Sequence, residues 1–269
     1  MKKHSLKKFY FFFSSIFIFI LHMPFAFAKS KPMFALKAPA NKLEFFVPGE
    51  KSLNTIEPVE AHALSVVYDS LRLNLMGLSE QAFQYAMQGF DYLVKAGKIT
   101  NDRIISIVDF SQPSNKKRLF VIDLDQYKVV FNTYVAHGMN SGKEYASKFS
   151  NTPESNQSSL GFYETMDTYN GKNGYSLHLQ GLEKGINDNA DSRAIVMHGA
   201  EYVNENLIQS QGYIGRSWGC PAVPERLHKP IINKIKNGTC LFIYSSNKNY
   251  LIHSEILREA TAMAFNSKN

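Results

Sequence analysis

The chain has 269 residues, 44% of them hydrophobic, with a formal charge of +7 at pH 7. These proportions suit a globular fold and exclude a disordered or low-complexity polymer. No lysine/arginine block with interleaved aromatics points to a nucleic acid partner.

Residues 1–28 carry the pattern of a cleaved signal peptide. Lys2, Lys3, Lys7 and Lys8 make a basic start, Phe9 to Leu21 is almost wholly apolar, and Ala26-Phe27-Ala28 supplies the small-residue cleavage pattern. The apolar run is too short for a lasting bilayer span, so export to the periplasm or cell envelope is expected, with no stable membrane span after cleavage. Cleavage removes four lysines and no acids, taking +7 to +3. That mild excess suits an anionic wall polymer or plain solvated surface.

Residues 29–100 are expected to form an extended arm, with four prolines between 29 and 60, followed by two helices. The helices are read at Ala61 to Leu75 and Ser79 to Ala96. In the second, Ala82, Phe83, Ala86, Met87, Phe90 and Val94 recur at helical spacing and Gly97 ends it. The pair reads as a buttress for the rest of the fold, a lid or partner surface being the other reading. From residue 101 the period changes, and 101–247 reads as one mainly β domain. Ile104 to Phe110, Leu119 to Leu124, Lys128 to Val135, Gly161 to Thr165, Tyr175 to Gln180, Ala194 to Met197 and Thr239 to Tyr244 are rich in β-branched and aromatic residues. Asp125-Gln126 makes a turn between two of them, and Pro224 to Lys236 contains a helix stopped by Gly238. Residues 248–269 read as a C-terminal tail. The fold class is therefore mainly β with an N-terminal helical extension.

The chemistry concentrates between Ala194 and Ala222. A strand-like run delivers His198 and Gly199, a polar loop comes next, and the segment ends at Ser217-Trp218-Gly219-Cys220. A thiol needs a base or cation to raise its thiolate fraction, and histidine is the usual group. The glycines beside both residues let backbone approach closely. Two cysteines are too few for a disulfide scaffold, but Cys220 and Cys240 could pair with each other. Against that, Cys240 lies in a strand-like run where a lone cysteine is usually a small buried hydrophobe. None of the eight histidines has H-x-x-x-H or H-E-x-x-H spacing, and no cysteine pair has zinc-finger spacing, so neither a metal nor another cofactor is implied.

The His198-Gly199 pair followed by Ser217-x-Gly219-Cys220 resembles the signature of the L,D-transpeptidase catalytic domain family (YkuD-like). Arg118 to Gly138 resembles the opening hairpin of those domains, and Ser159-Leu160-Gly161-Phe162-Tyr163 resembles their Thr-Pro-x-Gly strand start. The similarity runs over about residues 102–245. It implies an L,D-transpeptidase-like β-sandwich or barrel and a peptidoglycan stem peptide as partner. It assigns Cys220 as nucleophile, His198 as base and the Gly199 carbonyl as the group that orients the imidazole. The amides of Gly219 and Cys220 are the expected oxyanion donors, since Pro221 has no N–H.

Around these, Ser217 is expected in the loop's hydrogen bonding, Trp218 in a groove wall or in the core, and Arg216 at a substrate carboxylate. Tyr175 and His178 lie on the strand before the His-Gly segment, where relatives line the acyl-donor site. His137-Gly138 is a second histidine–glycine pair and a rival base, though it lacks a Ser-x-Gly-Cys loop at the usual distance. Two departures stand out: Pro221-Ala222-Val223-Pro224 replaces an aliphatic residue and arginine after the cysteine, and Trp218 replaces histidine or lysine. The expected activity is an exported cysteine acyltransferase forming 3–3 cross-links through a thioester. The alternatives are an L,D-carboxypeptidase, a protein-to-peptidoglycan ligase, or a noncatalytic wall-binding domain with a Cys220–Cys240 disulfide. A papain-like peptidase fits poorly, because its nucleophile precedes its histidine in the chain.

Overall fold

The structure, a computed structural model, describes residues 58–266. The signal-peptide reading, and the arm as far as residue 57, lie outside the described residues. The order is α1 (Pro58–Ser70), α2 (Leu73–Met76), α3 (Glu80–Lys95), β1 (Ile104–Asp109), β2 (Leu119–Asp123), β3 (Lys128–Thr133), β4 (Gly161–Gly171), β5 (Gly174–Gly181), β6 (Val196–Ala200), α4 (Glu205–Gln211), β7 (Ala222–Pro224), α5 (Glu225–Ile235), β8 (Cys240–Tyr244), α6 (Lys248–His253) and α7 (Glu255–Asn266).

The eight strands form one sheet in the order β3-β2-β1-β8-β4-β5-β6-β7. β1 with β8 and β6 with β7 are parallel; the other pairs are antiparallel. Just beyond β3, Ala136 bridges to Ala222 on β7, so the two edges of the sheet meet in a nearly closed, barrel-like wall. Closure leaves little open edge to template aggregation. β1, β2, β6 and β8 are buried along their whole length, as expected for continuous apolar runs.

Ser79 starts α3 by accepting the Ala82 amide at 3.0 Å, and the helix buries Ala82, Phe83, Ala86, Gly89, Phe90 and Leu93. Gly89 is required by packing: a Cβ there would lie 2.0 Å from Phe162 Cζ. Phe162 in turn stacks on Phe242, with centroids 4.1 Å apart. Asp109, at the end of β1, accepts the Ser79 amide at 3.1 Å and so fixes where the helix meets the sheet. Phe162→Ala removes a wholly buried ring at this junction. The expected cost is about 3–5 kcal/mol, measurable by denaturant unfolding.

Four differences from the sequence reading have local causes. The first expected helix breaks at Arg72, which takes a left-handed conformation (φ 53°). β4 continues past Thr165 to Gly171, through a register shift between Thr165 and Thr168. Residues 248–266, read from sequence as a C-terminal tail, form two helices. Tyr250, Ile256 and Leu257 enter the main core, and α7 packs against α3. β7 and α4, absent from the sequence reading, come after β6 on either side of the polar loop. Among the described residues, no helix is long and apolar enough to cross a membrane.

Candidate active site

Strand pairing brings His198 and Cys220 together across 22 positions of chain. His198 on β6 is in register with Ala222 on β7, so Cys220, two residues earlier, sits diagonally opposite it. The Cys220 sulfur meets the Val196 amide at 3.5 Å and the Ala194 carbonyl at 3.7 Å. Ala194 has φ 52°, a left-handed conformation uncommon without glycine, and this turns its carbonyl toward the thiol. Among the described residues, Nε2 of His198 is not a hydrogen-bond partner of the sulfur. Cys220 and Cys240 are both free thiols, and Cys240 is wholly buried in β8. The disulfide that a noncatalytic domain would require is therefore not formed.

His198 is buried, and its Nδ1 lies 2.8 Å from the Gly199 carbonyl oxygen. A carbonyl can only accept, so Nδ1 carries the proton and the Nε2 lone pair is left for chemistry. Burial lowers the His198 pKa, opposed by the Gly199 hydrogen bond and by the charge of Glu225. The neighbouring Gly199 has no space for a side chain, since a Cβ would lie 2.4 Å from Glu225 Oε2 and 2.6 Å from His228 Nδ1. At Cys220, burial raises the thiol pKa, while the Val196 amide and the Arg193 guanidinium pull it down. The resting pair at neutral pH is therefore a neutral imidazole and a protonated thiol.

The Ser217–Cys220 loop is fixed by its own hydrogen bonds and by two neighbouring segments. Ser217 Oγ donates to the Cys220 carbonyl at 2.6 Å and accepts the Gly219 amide at 3.1 Å. The Gly219 N–H, a donor that the sequence reading assigned to an oxyanion, is thus bonded within the loop to Ser217 Oγ. The Ser217 amide donates to the His137 carbonyl, and the Met139 amide to the Ser217 carbonyl. Ser158 completes the junction: its Oγ accepts the Gly138 amide at 3.1 Å and donates to the Gly219 carbonyl at 3.2 Å. Gly219 itself has φ +124°, and a Cβ there would meet the Gln157 carbonyl oxygen at 2.9 Å and Ile195 Cδ1 at 3.0 Å. Gly219→Ala is expected to displace the Ser217–Cys220 loop, lowering any turnover at this site at least about 100-fold and stability by about 1–3 kcal/mol. Steady-state kinetics alongside a thermal melt would check both.

The rival base His137 is excluded by its surroundings. It is fully buried, with Nδ1 2.7 Å from Arg118 Nη2 and Nε2 3.3 Å from the Gly142 carbonyl. Arginine only donates, so His137 Nδ1 accepts and Nε2–H donates, leaving neither nitrogen for catalysis. Burial, with Arg118 second, lowers its pKa to about 3. Arg118 is also fully buried; it donates to the Val135 and Gln112 carbonyls and lies 4.7 Å over the Phe110 ring. This pair anchors the 137–142 segment on which the Ser217–Cys220 loop rests.

The remaining sequence candidates divide. Trp218 is 72% exposed, which rules out a core role, and Lys172 from the β4–β5 turn lies 5.8 Å from its ring centroid. Arg216 Nη1 donates to the Met139 and Gly142 carbonyls, tying the loop down. The Tyr175 hydroxyl donates to Asn233 on α5 at 2.8 Å, a structural bond. His178 pairs with Asp167 at 3.0 Å, stacks on Tyr169, and is the cross-strand neighbour of Val196. Cross-strand and i+2 neighbours share a sheet face, so His178, Val196 and His198 project from the same one. Sequence reading missed Arg193, Ser158, Glu225 and His228 altogether. Among the described residues, no three His, Cys, Asp or Glu side chains cluster as a metal site would require.

The sequence model of the L,D-transpeptidase catalytic domain (YkuD_2) matches residues 75–244, well over half of the chain. A comparison with curated proteins gave no match. Among solved structures, an L,D-transpeptidase from Mycobacterium smegmatis is 12% identical over 53% of this chain and 59% of its own, with a TM-score of 0.33. L,D-transpeptidase 3 from Mycobacterium tuberculosis is 10% identical over 53% and 61%, with a TM-score of 0.34. An Enterococcus faecium L,D-transpeptidase is 13% identical over 53% and 50%, with a TM-score of 0.33. The chain thus spans between half and three fifths of the length of these structures. On the family match, this chain belongs to the L,D-transpeptidase catalytic domain family.

Proposed function

We propose that the protein is an exported cysteine acyltransferase that acts on peptidoglycan stem peptides. The supporting observation is a free thiol at Cys220, diagonally across the β6–β7 pairing from a His198 imidazole whose Nδ1–H is held by the Gly199 carbonyl. The basic and apolar pattern of residues 1–28 supports delivery to the cell envelope.

In the first half-reaction, the Cys220 thiol turns from the Ala194 carbonyl toward the ring and gives its proton to His198 Nε2. The thiolate adds to the carbonyl of the third residue of a tetrapeptide. The Cys220 amide is the proposed donor to the resulting oxyanion, because the Gly219 amide is bonded to Ser217. The C–N bond to the terminal D-residue then breaks, and the imidazolium returns its proton to the departing amine, leaving a thioester. In the second half-reaction, His198 takes a proton from the acceptor amine as it attacks the thioester, and the thiol leaves protonated. A diaminopimelate side-chain amine as acceptor gives a 3–3 cross-link. Water would give a tripeptide, and a protein amine would give a protein–wall linkage.

Trp218, exposed beside the nucleophile, is proposed to contact the bound peptide, and His178 to line the donor side. Product analysis by mass spectrometry after incubation of residues 29–269 with disaccharide-tetrapeptides tests the choice of acceptor. A cross-linked dimer accompanied by one equivalent of free D-amino acid supports transpeptidation. Tripeptide alone replaces it with carboxypeptidase activity.

A further inference from the structure

Arg193 lies on the loop before β6, and every hydrogen bond the structure gives it goes to a neutral acceptor. Nη1 donates to the Ser150 carbonyl at 2.8 Å and to Ser159 Oγ at 2.5 Å. Nη2 donates to the Gln157 carbonyl at 2.7 Å and to Ser155 Oγ at 3.2 Å. Among the described residues, no aspartate or glutamate forms an ion pair with it. A partly buried guanidinium without a counter-charge is costly unless another anion is formed beside it. Its position points to a candidate: Nη2 is 3.5 Å from where a Cβ of Gly219, the residue before Cys220, would be.

We propose that Arg193 is a positioning residue whose guanidinium stabilises the Cys220 thiolate while its fork fixes the 150–159 segment under the nucleophile loop. Its two functions are separable, because the four hydrogen bonds define shape and the charge acts on sulfur. Other titratable or charged groups near the site do not duplicate it. His198 on β6 is neutral at rest, and Glu225 and His228 on α5 face His198. Tyr202, after β6, is pushed up to about 12 by burial, with the Cys220 charge a smaller cause. Arg216 is bonded to the Met139 and Gly142 carbonyls, and Lys172 is engaged at Trp218. The Tyr163 hydroxyl donates to the Ser159 carbonyl, on the same segment that Arg193 holds. Burial raises the Cys220 pKa, and Arg193 is the cation that opposes the rise.

The inference rests on Cys220 being the nucleophile, but its test uses no peptidoglycan and so fails separately from the transpeptidase reading. The rate of iodoacetamide alkylation is measured against pH for wild type, Arg193→Gln and Arg193→Lys. Cys220→Ser serves as the blank, since Cys240 is buried. Arg193→Gln is expected to raise the alkylation midpoint by about one pH unit, which is about tenfold less thiolate at neutral pH. Arg193→Lys, which keeps the charge but loses the fork, should retain a midpoint near that of wild type while melting at a lower temperature. A folded Arg193→Gln protein with the wild-type midpoint overturns the proposal and leaves Arg193 a structural residue. If Arg193→Gln does not fold, the salt dependence of the wild-type midpoint decides. A rise with added salt supports a cation–thiolate attraction, and invariance overturns it.

Discussion

Cys220→Ser should lower tetrapeptide turnover on the order of 10⁴-fold or more while leaving the fold intact. The substitution keeps a hydroxyl close to the sulfur position, where the Val196 amide and Ala194 carbonyl remain available as partners. Both contacts are long, 3.5 and 3.7 Å, so little stability depends on them. The nucleophile, by contrast, is transformed. A serine hydroxyl ionises far less readily than a thiol, and a neutral imidazole activates it much less effectively. Steady-state product formation and a thermal melt on the same preparation separate the two effects. A serine variant that turns over at even a tenth of the wild-type rate would show that the sulfur is not the attacking atom.

His198→Gln should cost about 10²–10⁴-fold in turnover, the usual range for loss of one acid–base group. It should also change the shape of the pH–rate profile. Burial lowers the His198 pKa below its ordinary value of 6.5, so the imidazole stays neutral as pH falls to that shifted value and becomes protonated below it. Wild-type activity should therefore decline on an acidic limb below pH 6.5. The glutamine variant, which has no imidazole to protonate, should lose that limb. A pH–rate comparison in which both proteins keep the same acidic limb would assign it to another group. His137 is not that group, because its nitrogens are occupied by Arg118 and Gly142.

Much of this arrangement can be read from sequence, for reasons that vary by element. β1, β2 and β8 are short, fully buried strands dominated by isoleucine, valine, leucine and phenylalanine, and that composition marks them in the sequence. The helix at Glu80–Lys95 has both a capping serine and a clear apolar period. β7 is three residues long and contains a proline, so nothing local marks it as a strand. α4 buries no residue and therefore shows no apolar stripe. The extension of β4 past Thr165 runs through Asp167 and Asn170, residues that strands usually avoid.

The site divides along the same line. His198 and Cys220 stand beside glycines, Gly199 required by close side-chain packing and Gly219 by its positive φ, which makes them visible as a motif. Arg193 carries no such mark: an arginine in a polar loop is ordinary until segment 150–159 folds beneath it. His137 is likewise engaged by Arg118, a charged residue 19 positions from it that becomes fully buried. Gly219 stands out in the motif as a glycine beside the nucleophile, yet its amide faces Ser217, because loop hydrogen bonding is decided in three dimensions.

Intact-protein mass spectrometry of wild type and Cys220→Ser after brief exposure to a tetrapeptide donor tests the central chemistry most directly. The expected wild-type result is an adduct equal in mass to the donor minus its terminal D-amino acid, cleaved by hydroxylamine and located at Cys220 by peptide mapping. The serine variant should remain unmodified. An adduct on another residue, or donor turnover by the serine variant at the wild-type rate, would contradict a Cys220 thioester.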